Sequence, residues 1–110
     1  MKFALIIILL SMSFTQNINF YNKNNESFAD VKTMDFTFTC RVGGMENDKG
    51  TIFLLHGFPE TSRMWNNFIK VLENEGYRII APDQRGYSKG ARPSKVSDYT
   101  IDKLTQDIMN

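Results

Sequence analysis

Between Thr51 and Ala81 the apolar residues change period twice, and that change limits the chain to few folds. Thr51-Ile52-Phe53-Leu54-Leu55 is a short apolar run without alternation, and Arg78-Ile79-Ile80-Ala81 is another. Between them Trp65, Phe68, Ile69 and Leu72 recur at i, i+3, i+4 and i+7, while Asn66, Asn67, Lys70 and Glu73 fall elsewhere on the same helix. Thr61 or Ser62 can cap that helix, and Gly76 can close it in the left-handed conformation. Strand, helix, strand is a βαβ unit, whose right-handed crossover sets the two strands parallel in one sheet. Unalternating strands of this kind are expected to be buried on both faces, under helices. The second ends at Pro82-Asp83, because proline cannot donate to a ladder.

Upstream, Phe36, Phe38, Cys40 and Val42 alternate with Thr37, Thr39 and Arg41, the pattern of a half-buried strand across Asp35 to Val42. Downstream, Gln84 to Ser97 carries Gly86, Gly90 and Pro93 and reads as a loop. Tyr99 to Asn110 then reads as a second helix, with Ile101, Leu104 and Ile108 on one face and Asp102 in its first turn. Open α/β sheets bind ligands outside the carboxyl ends of their strands. Here that edge is His56-Gly57-Phe58-Pro59-Glu60 and Asp83-Gln84-Arg85-Gly86-Tyr87. Gly57 permits close backbone approach to a bound atom, and Pro59 steers Phe58 away from helical backbone. The expected result is a bend that leaves the Phe58 N–H free to face a developing oxyanion.

Residues 1–15 predict a secretory signal peptide: Lys2 precedes the apolar run Phe3 to Leu10, which Ser11-Met12-Ser13 closes. A membrane span needs about 20 apolar residues, and Ser11, Ser13, Thr15 and Gln16 interrupt sooner. Cleavage near Ser13 or Thr15 would give a secreted chain with no membrane anchor. Residues 16–33 read as a polar, Asn-rich lead without helical or strand period, and Asn25-Glu26-Ser27 within it is an N-x-S glycosylation sequon. Thirteen Lys and Arg against twelve Asp and Glu offer no basic face for nucleic acid. One Cys and one His exclude an internal disulfide and a structural zinc centre, so neither metal nor cofactor is expected. Cys40, inside the alternating segment, reads as a buried inert thiol.

The segments Leu55 to Trp65, LHGFPETSRMW, and Ala81 to Pro93, APDQRGYSKGARP, with Tyr99, Leu104 and Asp107, resemble the opening third of the α/β-hydrolase fold family. The resemblance is to its epoxide-hydrolase-like and dehalogenase-like branch and covers roughly residues 34–110. It implies that the Phe58 N–H is one half of an oxyanion hole. It also implies that His56 supports the loop with Gly57 and Pro59 and is not the general base, while Asp83 and Arg85 brace strand-end loops. Many relatives have Gly where this chain has Ser88 and Ser where it has Gly90. Ser88 therefore reads as a loop hydroxyl, since no strand-turn-helix elbow surrounds it.

The family's nucleophile, Ser or Asp, sits on a Gly-x-Ser-x-Gly-like or Gly-x-Asp-x-Gly-like elbow after the next strand, with acid and base later still. None falls in the 110 residues, so no catalytic residue is assigned. The expected architecture is an incomplete doubly wound α/β-hydrolase sheet of N-terminal strands plus two helices, truncated before the elbow and preceded by a signal peptide. The expected function is that of a hydrolase acting on a small-molecule substrate in its full-length form. A catalytically inactive small secreted protein, or a serine esterase if the elbow carries Ser, is the alternative.

Overall fold

The computed structural model describes residues 17–109, and the expected signal segment lies outside them. Five strands, β1 (Ile18–Lys23), β2 (Glu26–Lys32), β3 (Thr37–Gly43), β4 (Thr51–Phe53) and β5 (Arg78–Pro82), form one mixed sheet in the order β1-β2-β3-β5-β4. Helix α1 (Asn66–Asn74) follows a 3-10 turn at Ser62–Trp65, and α2 (Ile101–Met109) follows one at Val96–Tyr99. No helix among the described residues is long and apolar enough to cross a membrane.

The βαβ unit forms as its periods require. β4 and β5 are parallel, with Ile52 opposite Ile79 and Phe53 opposite Ile80, and α1 is the crossover. Thr61 accepts the Arg63 N–H with its side chain at 3.3 Å, and Gly76 closes the helix at φ +98°, a conformation that costs glycine little. Successive strand residues face opposite ways. Ile79 and Ala81, both fully buried, therefore pack with Ile69, Trp65 and Leu72. Ile80 points to the other face, where Phe38, Cys40 and Val42 of β3 form a second core with Ala29 and Ala91. Burial pushes the Cys40 thiol up to about 12, as desolvation of a thiolate requires, so it stays protonated and inert.

Two expectations are corrected. The solvated lead expected over 16–33 is, in its described part 17–33, a pair of strands: β1 and β2 form an antiparallel hairpin whose two-residue loop is Asn24-Asn25, at φ +52° and +62°. Asparagine tolerates that left-handed backbone, so the residues that blurred the strand period are the ones this turn uses. β4, in turn, is not buried on both faces. Among the described residues it is last in the sheet and pairs only with β5, and Phe53, with Leu55 just beyond the strand, is left 47% and 45% exposed respectively.

The hairpin is tied to the rest by Glu26. Its carboxylate accepts the Arg41 guanidinium and, at 2.8 Å, the Asn66 side-chain amide at the start of α1. The Arg41 guanidinium also lies 4.8 Å over the Phe28 ring, a favourable cation–π placement.

Candidate active site

Because β4 and β5 run parallel, the loops leaving them emerge at the same end of the sheet. The ladder continues one residue past β4, where the Leu54 N–H donates to the Ile80 carbonyl at 3.0 Å. The chain then turns inward at His56, which is 6% exposed. Its Nε2 accepts the Gln84 backbone N–H at 3.0 Å, and its Nδ1 lies 3.1 Å from the Gly57 carbonyl. A backbone N–H can only donate, so Nε2 is the acceptor here and Nδ1 the donor to the Gly57 carbonyl, and both ring nitrogens are engaged. The Gln84 side-chain amide donates back to the His56 carbonyl, and the imidazole meets the Tyr87 ring edge-on at 4.6 Å. Through these contacts His56 ties its own loop to the one that follows β5.

The Glu60 N–H donates to the Gly57 carbonyl at 2.8 Å, closing a turn around Phe58 and Pro59, whose peptide bond is cis. Phe58 stands 90% exposed, and among the described residues nothing accepts from its N–H. A Cβ added at Gly57 would meet no atom within 4 Å, so the space beside this backbone is open. Geometrically, the bend presents one unpaired donor at the sheet edge.

Asp83 and Arg85 face into the protein. The Asp83 carboxylate accepts the buried Ser62 N–H at 2.8 Å, satisfying a donor at the start of the 3-10 turn. Ser88 is 1% exposed; its hydroxyl donates to the Asp83 carbonyl and accepts the Thr39 N–H at 3.0 Å. Both uses are internal, so Ser88 is a structural hydroxyl. Arg85 makes a forked pair with Asp107 at 2.9 and 2.8 Å, donates to the Asp98 carbonyl at 2.8 Å, and lies 4.7 Å over the Phe36 ring. Asp107 raises the Arg85 pKa further above its ordinary value, chiefly through those hydrogen bonds. Arg85 thereby fastens α2 to the β5 loop.

The structure thus brings His56, Gly57, Phe58 and Pro59 into one bend and sets Asp83 and Arg85 behind it as braces. Gln84 and Tyr87, which hold His56, lay within the edge loop named from sequence, but nothing in the sequence assigned them a contact with His56. An apolar cavity of about 300 Å³ lies between the sheet and α2, lined by Phe38, Cys40, Phe53, Ile80 and Leu104 among others, and no residue of the His56–Pro59 bend lines it. Among the described residues no group of three or more His, Cys, Asp or Glu is placed to hold a metal ion.

Known proteins resemble this chain in sequence and in fold. An AB hydrolase superfamily protein, YfhM, of Bacillus subtilis is 47% identical over 79 residues, covering 72% of this chain and 27% of the relative. Epoxide hydrolase A of Mycobacterium tuberculosis is 43% identical over 58 residues, covering 53% of this chain and 18% of the relative. An epoxide hydrolase structure from Vigna radiata superimposes with a TM-score of 0.65 at 31% identity, over 86% of this chain and 26% of that one. The chain therefore spans about a quarter or less of the length of these relatives. The family profile described as alpha/beta hydrolase fold matches residues 50–109, more than half of the 110. The chain belongs to the α/β-hydrolase fold family.

Proposed function

We propose that this chain supplies the oxyanion-binding bend of a hydrolase that opens an epoxide, or a related small electrophile, through a covalent intermediate. The unpaired Phe58 N–H, held outward by a bend that His56 and Gln84 lock from behind, is the observation that carries this reading. Hydrolysis of an ester intermediate places negative charge on the former carbonyl oxygen. A fixed backbone donor there stabilises the transition state more than the ground state, worth about 10²–10³ in kcat when removed. Attack, protonation and water activation need a nucleophile, an acid and a base. His56 and Ser88 are committed to internal hydrogen bonds and are assigned none of these three roles. The epoxide hydrolases among the relatives support the substrate class.

A chimaera tests the role of the bend. Residues 50–109 replace the matching segment of the Mycobacterium tuberculosis epoxide hydrolase, and styrene oxide hydrolysis is followed. The chimaera is expected to turn over, Phe58→Ala to stay within about threefold of it, and Phe58→Pro, which deletes the N–H, to lose about 10²–10³ in kcat. Full activity in Phe58→Pro would remove the oxyanion role. The purified 110-residue chain alone is expected to hydrolyse neither styrene oxide nor p-nitrophenyl esters above a buffer blank. If a longer product of the same gene took the esters and left styrene oxide untouched, the epoxide assignment would give way to an esterase.

A further inference from the structure

We propose that Asn25 is an N-linked glycan attachment site. The chain is rich in Asn, yet Asn25-Glu26-Ser27 is its single N-x-S/T triplet. The fold sets that triplet at the tip of the β1–β2 hairpin, with Lys23 opposite Glu26 and only Asn24 and Asn25 between them. Asn25 is exposed, and among the described residues its carboxamide makes no hydrogen bond. Asn22, Asn47 and Asn66 use theirs internally: Asn22 accepts the Ser27 hydroxyl at 2.9 Å, Asn47 donates to the Glu73 and Tyr77 carbonyls, and Asn66 donates to Glu26, whereas Asn24 beside Asn25 is as free as Asn25 but heads no sequon. At φ +62°, Asn25 holds the left-handed backbone that asparagine tolerates in a two-residue hairpin loop.

The register keeps such a glycan away from the bend. Phe28 pairs with Arg41, Gly43 pairs with Ile79 at the start of β5, and Cys40 pairs with Pro82 at its end. Along the strands the hairpin tip therefore lies toward the start of β5, away from the strand ends that carry the His56–Pro59 and Asp83–Ser88 loops, and Asn25 lies beside Asn66 and Lys70 of α1. In the transfer, Asn25 Nδ2 forms a bond to the anomeric carbon of a lipid-pyrophosphate-linked oligosaccharide. The carbon–oxygen bond to the pyrophosphate breaks, the lipid pyrophosphate leaves with the electron pair, and the transferase takes the amide proton. The acceptor must enter a glycosylating secretory compartment, for which the Lys2-led apolar run Phe3 to Leu10 is the targeting element.

Translation of the full 110-residue chain with endoplasmic-reticulum microsomes tests this directly and does not depend on folding. The expected result is a protease-protected product of lower mobility, restored to full mobility by peptide-N-glycosidase. Asn25→Gln and Ser27→Ala should each abolish the shift, and Asn24→Gln should retain it. A protected product without the shift, or a chain left wholly outside the vesicles, would overturn the assignment.

Discussion

His56 Nε2 accepts the Gln84 backbone N–H at 3.0 Å, so one buried ring joins the loops that leave two parallel strands. Truncation to His56→Ala strands that N–H and empties the space against Tyr87. An unsatisfied buried donor costs about 1–3 kcal/mol, and urea denaturation should show a midpoint lowered accordingly. Unchanged stability in His56→Ala would mean that the ring does not hold the two loops together.

Arg85 and Asp107 are 9% and 14% exposed, and each is the other's forked partner. Removing one partner leaves a charge stranded in poor solvent, at a cost of about 3–5 kcal/mol. Arg85→Ala should lose that much stability together with the helical circular dichroism of α2. Arg85→Lys should recover only part, since an ammonium cannot fork, reach the Asp98 carbonyl and stack on Phe36 at once. The double variant Arg85→Ala/Asp107→Ala should be less unstable than Arg85→Ala alone. If the double variant lost the sum of both single losses, the pair would not be coupled.

What could be read in advance follows the range of the interactions. The βαβ unit was legible because Ile52, Ile69 and Ile79 sit in local periods that report burial directly. The β1–β2 hairpin was not, because Tyr21 directly after Phe20 breaks the alternation that Ile18 and Phe20 begin and five Asn between 16 and 25 read as solvated chain, while the evidence for pairing lies across the strands, in Tyr21 stacked on Phe28 at 5.4 Å. The bend at Phe58 was legible as a motif, whereas its clamp joins residues 28 apart and follows only once β4 and β5 lie side by side. The half-exposure of β4 was hidden for a related reason: an apolar run states what a strand can bury, while its place in the sheet decides what covers it.

Glu26 makes the hairpin's attachment to α1 sensitive to acid. The Arg41 hydrogen bond is the largest influence on its carboxyl and holds it below the ordinary glutamate value, with Asn66 acting in the same direction. A carboxyl lowered in the folded state contributes stability above its unfolded value and loses that contribution as pH falls through the folded value. Stability should therefore decline on the acid side of the ordinary glutamate range, and Glu26→Gln should flatten that part of the profile. The effect is small, because the Glu26 side chain remains 37% exposed. A steeper acid limb in Glu26→Gln would contradict the assigned sign.

The outer edge of β4 is the part of this chain most prone to association. Thr51, Ile52 and Phe53 bond to β5 on one side, no strand among the described residues pairs on the other, and Phe53 is 47% exposed beside that row of backbone groups. An uncharged edge with exposed apolar side chains is a template for pairing with a second copy, and a lysine on such an edge discourages it. A half-exposed position forfeits only part of the roughly 1.5–3 kcal/mol that full burial of a phenylalanine provides, and a lysine stem can cover some of the same surface. Phe53→Lys should thus raise the monomer fraction in light scattering of the 110-residue chain while lowering its denaturation midpoint only slightly. An equal aggregation rate in the variant would place the sticky surface elsewhere, and a large loss of stability would mean that Phe53 is more deeply packed than its exposure indicates.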